Sequence, residues 1–192
     1  MALREILIWP DPRLKQKSKP VVRVDDQVRK LCDDLAETMY DSRGVGLAAP
    51  QVDVHLDVIA MDIDQTSAED KPEGVKHEKH AGGLFWMINP QLILAEGEFT
   101  YTEGCLSVPD EYEDVTRFGH VIVEFQNRDG KLERREGNQD LMCVCLQHEM
   151  DHLQGKLFVD HLSALKRELI KRRMKKLKAE RAAEAKAGAT AL

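Results

Sequence analysis

The chain has 192 residues, 42% hydrophobic and 32% charged, with a net charge of −6. This suits a globular unit with its own core and a well-charged surface. No apolar run approaches the ~18 residues of a membrane helix. MALREILIWPDPRL, broken by Arg4, Glu5, Pro10 and Asp11, is not expected to be a signal peptide, so a cytoplasmic location without membrane contact is expected. The four cysteines, Cys32, Cys105, Cys143 and Cys145, form no C-x-x-C pair and are expected as reduced thiols.

In chain order, the first predicted element is a helix after Val24, capped by Asp25 or Asp26, with Val28, Leu31, Leu35 and Met39 at helical spacing. Gly44 and Gly46 break that pattern. Residues 56–63 are expected as a buried strand, and the polar stretch 64–83, with Pro72, Gly74, Gly82 and Gly83, as a surface loop. A strand resumes at 84–89 and is expected to stop at Pro90, with strand-like pieces through 91–103. Val121, Val123 and Phe125 alternate with Ile122 and Glu124 as a further strand, followed by a turn at 127–130. A buried helix is expected from near Asn138 to Gly155, with Leu141, Val144, Cys145 and Leu146 among its apolar positions. Ser163 should cap a last helix whose apolar stripe is read as Leu165, Leu169, Met174 and Leu177.

From Lys166 to Lys186 ten basic side chains stand against three acidic ones, so this tail carries +7 and the remainder −13 of the total −6. A basic tail on an acidic body suits a polyanion such as RNA or a ribosomal surface; it also suits a solvated helix face. Residues 1–165 are read as the catalytic domain and 166–192 as a basic C-terminal helix and Ala-rich tail of the same domain.

The strongest chemical signal is His148-Glu149-Met150-Asp151-His152. On a helix, histidines four apart share a face and can grip one metal ion, with the glutamate beside the open position. The same pattern would also fit a buried helix with two hydrogen-bonded histidines. A catalytic metal usually takes a third protein ligand. A metzincin would place a histidine at position 158, where Phe158 stands, and the downstream glutamate of other zinc proteases is missing where Lys171 and Arg172 stand. Asp160 and His161 lie past the helix end. Cys105, in Glu103-Gly104-Cys105-Leu106-Ser107, is the better candidate. Gly44-Val45-Gly46-Leu47-Ala48-Ala49-Pro50-Gln51 adds two glycines that permit close backbone approach and an amide able to donate to an oxyanion. His77-Glu78-Lys79-His80 mimics a metal motif, but reads as solvated loop.

GVGLAAPQ at 44–51, EGCLS at 103–107 and HEMDH at 148–152, in that order, resemble the peptide deformylases, and the resemblance spans roughly residues 3–170. It implies an α+β fold of antiparallel sheets around a central metal-binding helix, with an N-terminal and a C-terminal helix. It implies a metallohydrolase that removes the N-formyl group from the initiator methionine of new polypeptides and releases formate. By this resemblance Cys105, His148 and His152 would bind one divalent metal, most commonly Fe2+, with Zn2+, Ni2+ or Co2+ able to substitute. Glu149 would move the proton. Gln51 and the Leu106 backbone N–H would stabilise the oxyanion. Val45, Gly46, Leu141, Val144 and Cys145 would surround the methionine, and Glu103 would support the site, paired with Arg117. N-formylmethionyl nascent peptides would be the partners, and the ribosome through the basic helix. Two departures stand out: the long 64–83 loop, and Tyr112 where many such enzymes carry a substrate-contacting arginine. A zinc endopeptidase and an idle ribosome-binding module are the competing readings.

Overall fold

A computed structural model of the chain describes residues 2–65 and 83–190. The polar loop read from the sequence, with its His77–His80 motif, falls almost wholly outside them. The fold is α+β. In chain order it comprises α1 (Asp26–Asp41), β1 (Gly46–Ala48), β2 (Val58–Met61), β3 (Phe85–Glu96), β4 (Phe99–Cys105), β5 (Val108–Arg117), β6 (His120–Gln126), β7 (Leu132–Asn138), α2 (Leu141–Leu153) and α3 (Ala164–Thr190). A five-stranded antiparallel sheet has the order β1-β2-β3-β6-β7, and β4 pairs with β5 in a separate hairpin.

The strand period of two divides the core. On β2, Val58 and Ala60 face α1 and pack with Leu31, Leu35 and Met39, whereas Ile59 and Met61 join Met87, Val123, Phe125 and Leu146 on the α2 side. A third cluster gathers Leu7, Trp9 and Leu14 with Val108 and Val115 of β5, Leu157–Val159 and two residues of α3. Each main helix has a definite start. Asp25 accepts hydrogen bonds from the backbone N–H groups of Gln27 and Val28 at 3.0 Å each, and Asp140 accepts from that of Cys143 at 2.7 Å. Buried Asp34 ties the N-terminus to α1 by binding Arg4, Lys30 and the backbone N–H of Ala2.

The structure differs from the sequence reading in three respects. Pro90 does not stop β3. The strand shifts register between Ile88 and Gln91, where Asn89 adopts φ 53°, and resumes beyond. Proline is tolerated there because an irregular position asks no ladder hydrogen bond of it. The Asn89 side chain fixes the kink by exchanging two hydrogen bonds of 2.8 Å with the Val21 backbone. Second, β1, β5 and β7 were not anticipated: β1 has three residues, and the many charged residues of β5 and β7 leave no clear apolar alternation. Third, the buried stripe of α3 is Ile170 and Met174 with Leu177, while Leu165 and Leu169 are 73% and 45% exposed. No helix among the described residues is long and apolar enough to cross a membrane.

Helix α2 sits so close to β7 that a Cβ on Gly137 would lie 2.3 Å from the Cys143 backbone nitrogen. Gly137→Ala must push α2 off the sheet. We expect a loss of about 1–3 kcal/mol in urea unfolding; an unchanged midpoint would mean that the contact yields freely.

Candidate metal centre

Helix α2 is apolar on most sides and buried over much of its length, so its polar side chains are carried into the interior. His148 and His152 lie one turn apart with ring centroids 5.0 Å apart. Cys105, at the end of β4, reaches them from the hairpin, with its Sγ 3.3 Å from His152 Nε2. One ligand atom from each of Cys105, His148 and His152 can be chosen so that all lie within 4.8 Å of one another. Bonds of about 2.3 Å to sulfur and about 2.0 Å to nitrogen on one tetrahedral ion would separate those atoms by about 3.5 Å, so the donor set fits a divalent metal in both spacing and chemistry.

The ring of His148 is held from behind. Its Nδ1 lies 2.8 Å from Glu103 Oε2, leaving Nε2 for the centre. Glu103 is gripped by the fork of Arg117, with Nη2 to Oε2 at 2.9 Å. Arg117 also donates to Asp151 at 2.8 Å, and Asp151 lies 2.7 Å from His161 Nε2. Burial alone would raise the Glu103 pKa, but His148 and Arg117 outweigh it and hold it below the usual range. Burial would likewise raise Asp151, yet His161 and Arg117 hold it at about 2.

Glu149 behaves differently. Burial pushes its pKa up to about 7, against the pull of His148 and Arg117. Its Oε2 is buried without a hydrogen-bond partner among the described residues, as is His152 Nδ1. Gly46 makes room for it: a Cβ there would fall 2.4 Å from Glu149 Oε1. Burial, followed by the neighbouring charge of His148, lowers the His152 pKa well below the ordinary imidazole value. A carboxylate near neutrality with a free oxygen is suited to taking up and releasing a proton.

Gln51 closes the group from a 3-10 turn at Ala49–Val52. Its Oε1 accepts from the Ala48 backbone N–H at 2.8 Å, which directs Nε2 towards Ser107 Oγ at 3.1 Å and Cys105 Sγ at 3.6 Å. The N-terminal segment braces this corner, since Leu7 N–H donates to the Gln51 carbonyl and Trp9 N–H to that of Ser107.

A cavity of about 460 Å³ opens onto these residues. Val45, Gly46, Leu141, Val144, Cys145 and Tyr112 all line it, with Gln51, Cys105, Leu106, His148 and Glu149. Tyr112 is 70% exposed, and its ring lies against Gly104. Every candidate is therefore at the cleft or, for His152 and Arg117, directly behind it. Sequence reasoning missed Tyr101 and Arg43 at the cleft, buried Ser107 against Gln51, and the Asp151–His161 extension behind it. Asp151 carries a local signal, since its spacing from His148 places it on an adjoining face of the helix.

Residues 3–168 match the family model described as Polypeptide deformylase. The chain belongs to the peptide deformylase family. It is 48% identical over 183 residues to the peptide deformylase of Teredinibacter turnerae, covering 95% of this chain and 100% of that one. It is 46% identical over 177 residues to that of Alkalilimnicola ehrlichii, covering 92% of each. Among solved structures, the Legionella pneumophila deformylase superposes with a TM-score of 0.82 at 41% identity, covering 94% of this chain and 98% of that one. An Ehrlichia chaffeensis deformylase in complex with actinonin gives a TM-score of 0.81 at 34% identity, covering 92% and 98%.

Glu103 and Arg117 are both buried, so removing one strands the other's charge. We expect Arg117→Ala to cost about 3–5 kcal/mol in guanidinium unfolding, with Arg117→Lys recovering only part, because an ammonium lacks the fork. A loss below about 1 kcal/mol would mean that His148 alone suffices to hold Glu103.

Proposed function

We propose that this deformylase removes the formyl group from the initiator methionine of nascent polypeptides at the Cys105–His148–His152 centre, and that Fe2+ is the native metal. The observation that carries this is the convergence of three ligating side chains with Glu149, whose free carboxylate oxygen faces no other partner. A divalent ion bound there supplies Lewis acidity, which lowers the pKa of a water molecule and polarises the formyl carbonyl. Zn2+, Ni2+ or Co2+ would suit the same donors.

The protein's own groups do the rest. Glu149 takes a proton from the attacking water and delivers it to the leaving amine. Gln51 Nε2 and the Leu106 backbone N–H donate to the carbonyl oxygen as charge develops on it. Gln51 is preorganised for this, because its Oε1 is already committed to Ala48. Leu141, Val144, Cys145 and Val45 give the methionine side chain an apolar wall. Among the described residues strand β1 pairs with β2 alone, so its other edge can take the peptide backbone as an added strand, beginning at Gly46. Residues 1–165 carry this chemistry, and 166–192 form a basic extension that meets the ribosome.

Formate release from formyl-Met peptides, combined with elemental analysis of anaerobically prepared protein, tests the reading. Glu149→Gln should keep the metal and lose turnover by about 10²–10⁴. Gln51→Ala should lose about 10²–10³ in kcat. Cys105→Ser should change metal content or identity. Full turnover by Glu149→Gln would remove Glu149 from the proton path. Iron absent from protein purified under anaerobic conditions would overturn Fe2+ as the native ion.

The ribosomal role of α3 rests on its ten basic residues between 166 and 186. Ile170 and Met174 are buried, so deleting the helix would damage the core. Charge reversal at exposed Arg172 and Lys175 is the cleaner test. Ribosome affinity should fall and its salt dependence flatten; unchanged affinity would dismiss this role.

A further inference from the structure

The cleft continues past the metal centre. Ser42, Leu106 and Pro109 line both the catalytic cavity and a second cavity of about 600 Å³. The far side of this basin is built from the N-terminal segment and from α3. It presents four cations, Arg4, Arg13, Lys178 and Arg181, against two carboxylates, Glu5 and Asp11. Asp11 is buried and shared between Arg13 at 3.0 Å and Lys178 at 3.1 Å, so one carboxylate answers two cations. Arg13 turns partly away to Asp53, and Arg4 to Asp34. Arg181 is exposed and has no partner among the described residues. Arg43, at the Ser42 side of the inner cleft, has none either. The inner cleft holds the carboxylates Glu103, Asp110, Glu111 and Glu149, of which Glu103 is bound to Arg117 and His148 and Glu111 to Arg173.

We propose that this basin is a second binding site for the substrate chain, holding the residues that follow the formylated methionine and favouring acidic side chains there. It rests on the deformylase reading above. The apolar side chains that would take the methionine, Leu141, Val144 and Cys145, belong to the α2 wall. A chain leaving by the wall that carries Leu106 and Pro109 enters the basin. At about 3.3 Å per residue, an extended peptide reaches it from roughly its third residue onward. Carboxylates there meet Arg181 and Lys178, with Arg43 on the inner-cleft side of Ser42, and attraction at a cleft wall raises the local concentration of a matching ligand.

The test compares formate release from formyl-Met-Ala-Glu-Glu-Glu and formyl-Met-Ala-Lys-Lys-Lys at low salt, with formyl-Met-Ala as a substrate too short to reach the basin. The acidic peptide should show kcat/KM about fivefold above the basic one, carried by KM, and the gap should close at about 0.5 M salt. R181E should bring the ratio to about one, and the milder R181Q should give an intermediate ratio. Equal kcat/KM for the two peptides overturns the proposal, as does a preference that R181E leaves intact. Loss of affinity of R181E for a single-stranded RNA oligonucleotide, with peptide charge indifferent, would assign the basin to nucleic acid instead. Failure to release formate from formyl-Met-Ala overturns the deformylase reading itself, which separates the two outcomes.

Discussion

The Glu103 carboxylate is the interaction on which the site depends. It lies on β4, accepts the fork of Arg117 from β5, and holds the ring of His148 on α2. Two of the three candidate metal ligands ride on a helix and the third on a hairpin that is not part of the main sheet. Without a tie between helix and hairpin, Cys105 would have no fixed distance from the histidines. Glu103 supplies that tie two residues from Cys105. An ion pair buried to this degree adds little net stability over an apolar pair of the same shape, because desolvation consumes most of the attraction. What it supplies is position, since only one arrangement satisfies every charge at once. Asp151 and His161 extend the constraint to the end of α2, so the helix is fixed in rotation as well as distance.

The same cluster explains how two neighbouring carboxylates come to differ. Glu103 is surrounded by cationic donors and stays ionised. Glu149, almost equally buried, has one oxygen with no partner and is drawn towards neutrality. Environments that push two acids apart are how one fold separates a structural charge from a working one. Space is arranged to match, since only a glycine at position 46 leaves room for the Glu149 carboxylate against β1.

Legibility in the sequence followed the range of the interaction. HEMDH was readable because its geometry is local, one helical turn between two histidines, and Asp25 and Ser163 marked helix starts for the same reason. The role of Cys105 was not set by spacing. It lies 43 residues before His148; its setting in Glu103-Gly104-Cys105-Leu106-Ser107 made it a candidate, and the family resemblance joined it to the two histidines. Asp151–His161 stayed hidden because what ties it to the site is Arg117, a strand residue. Strand β7 stayed hidden because its pattern is charged throughout and only Gly137 is buried. The α3 stripe was misread by a fraction of a turn: the core lies on the Ile170–Met174–Leu177 side, and a helix this rich in charge offers several sparse apolar alignments.

Orphaned buried polar atoms do not by themselves locate a site. Ser18, Glu37, His55, Asp57 and Arg128 also hold such atoms, in scattered parts of the fold. Glu149 differs because its unpartnered oxygen belongs to a side chain that lines one cavity with the Cys105 thiol and the His148 imidazole. A folding sequence tends to satisfy every buried group, and departures that cluster mark where function has been favoured over stability. The cost is contained by the surroundings: Arg117 neutralises the structural carboxylates, Gln51 is locked by Ala48, and the apolar body of α2 keeps solvent from the remaining charge. The reactive groups can therefore remain unsatisfied in the free protein, because the elements that present them are fixed by contacts that do not involve the reaction.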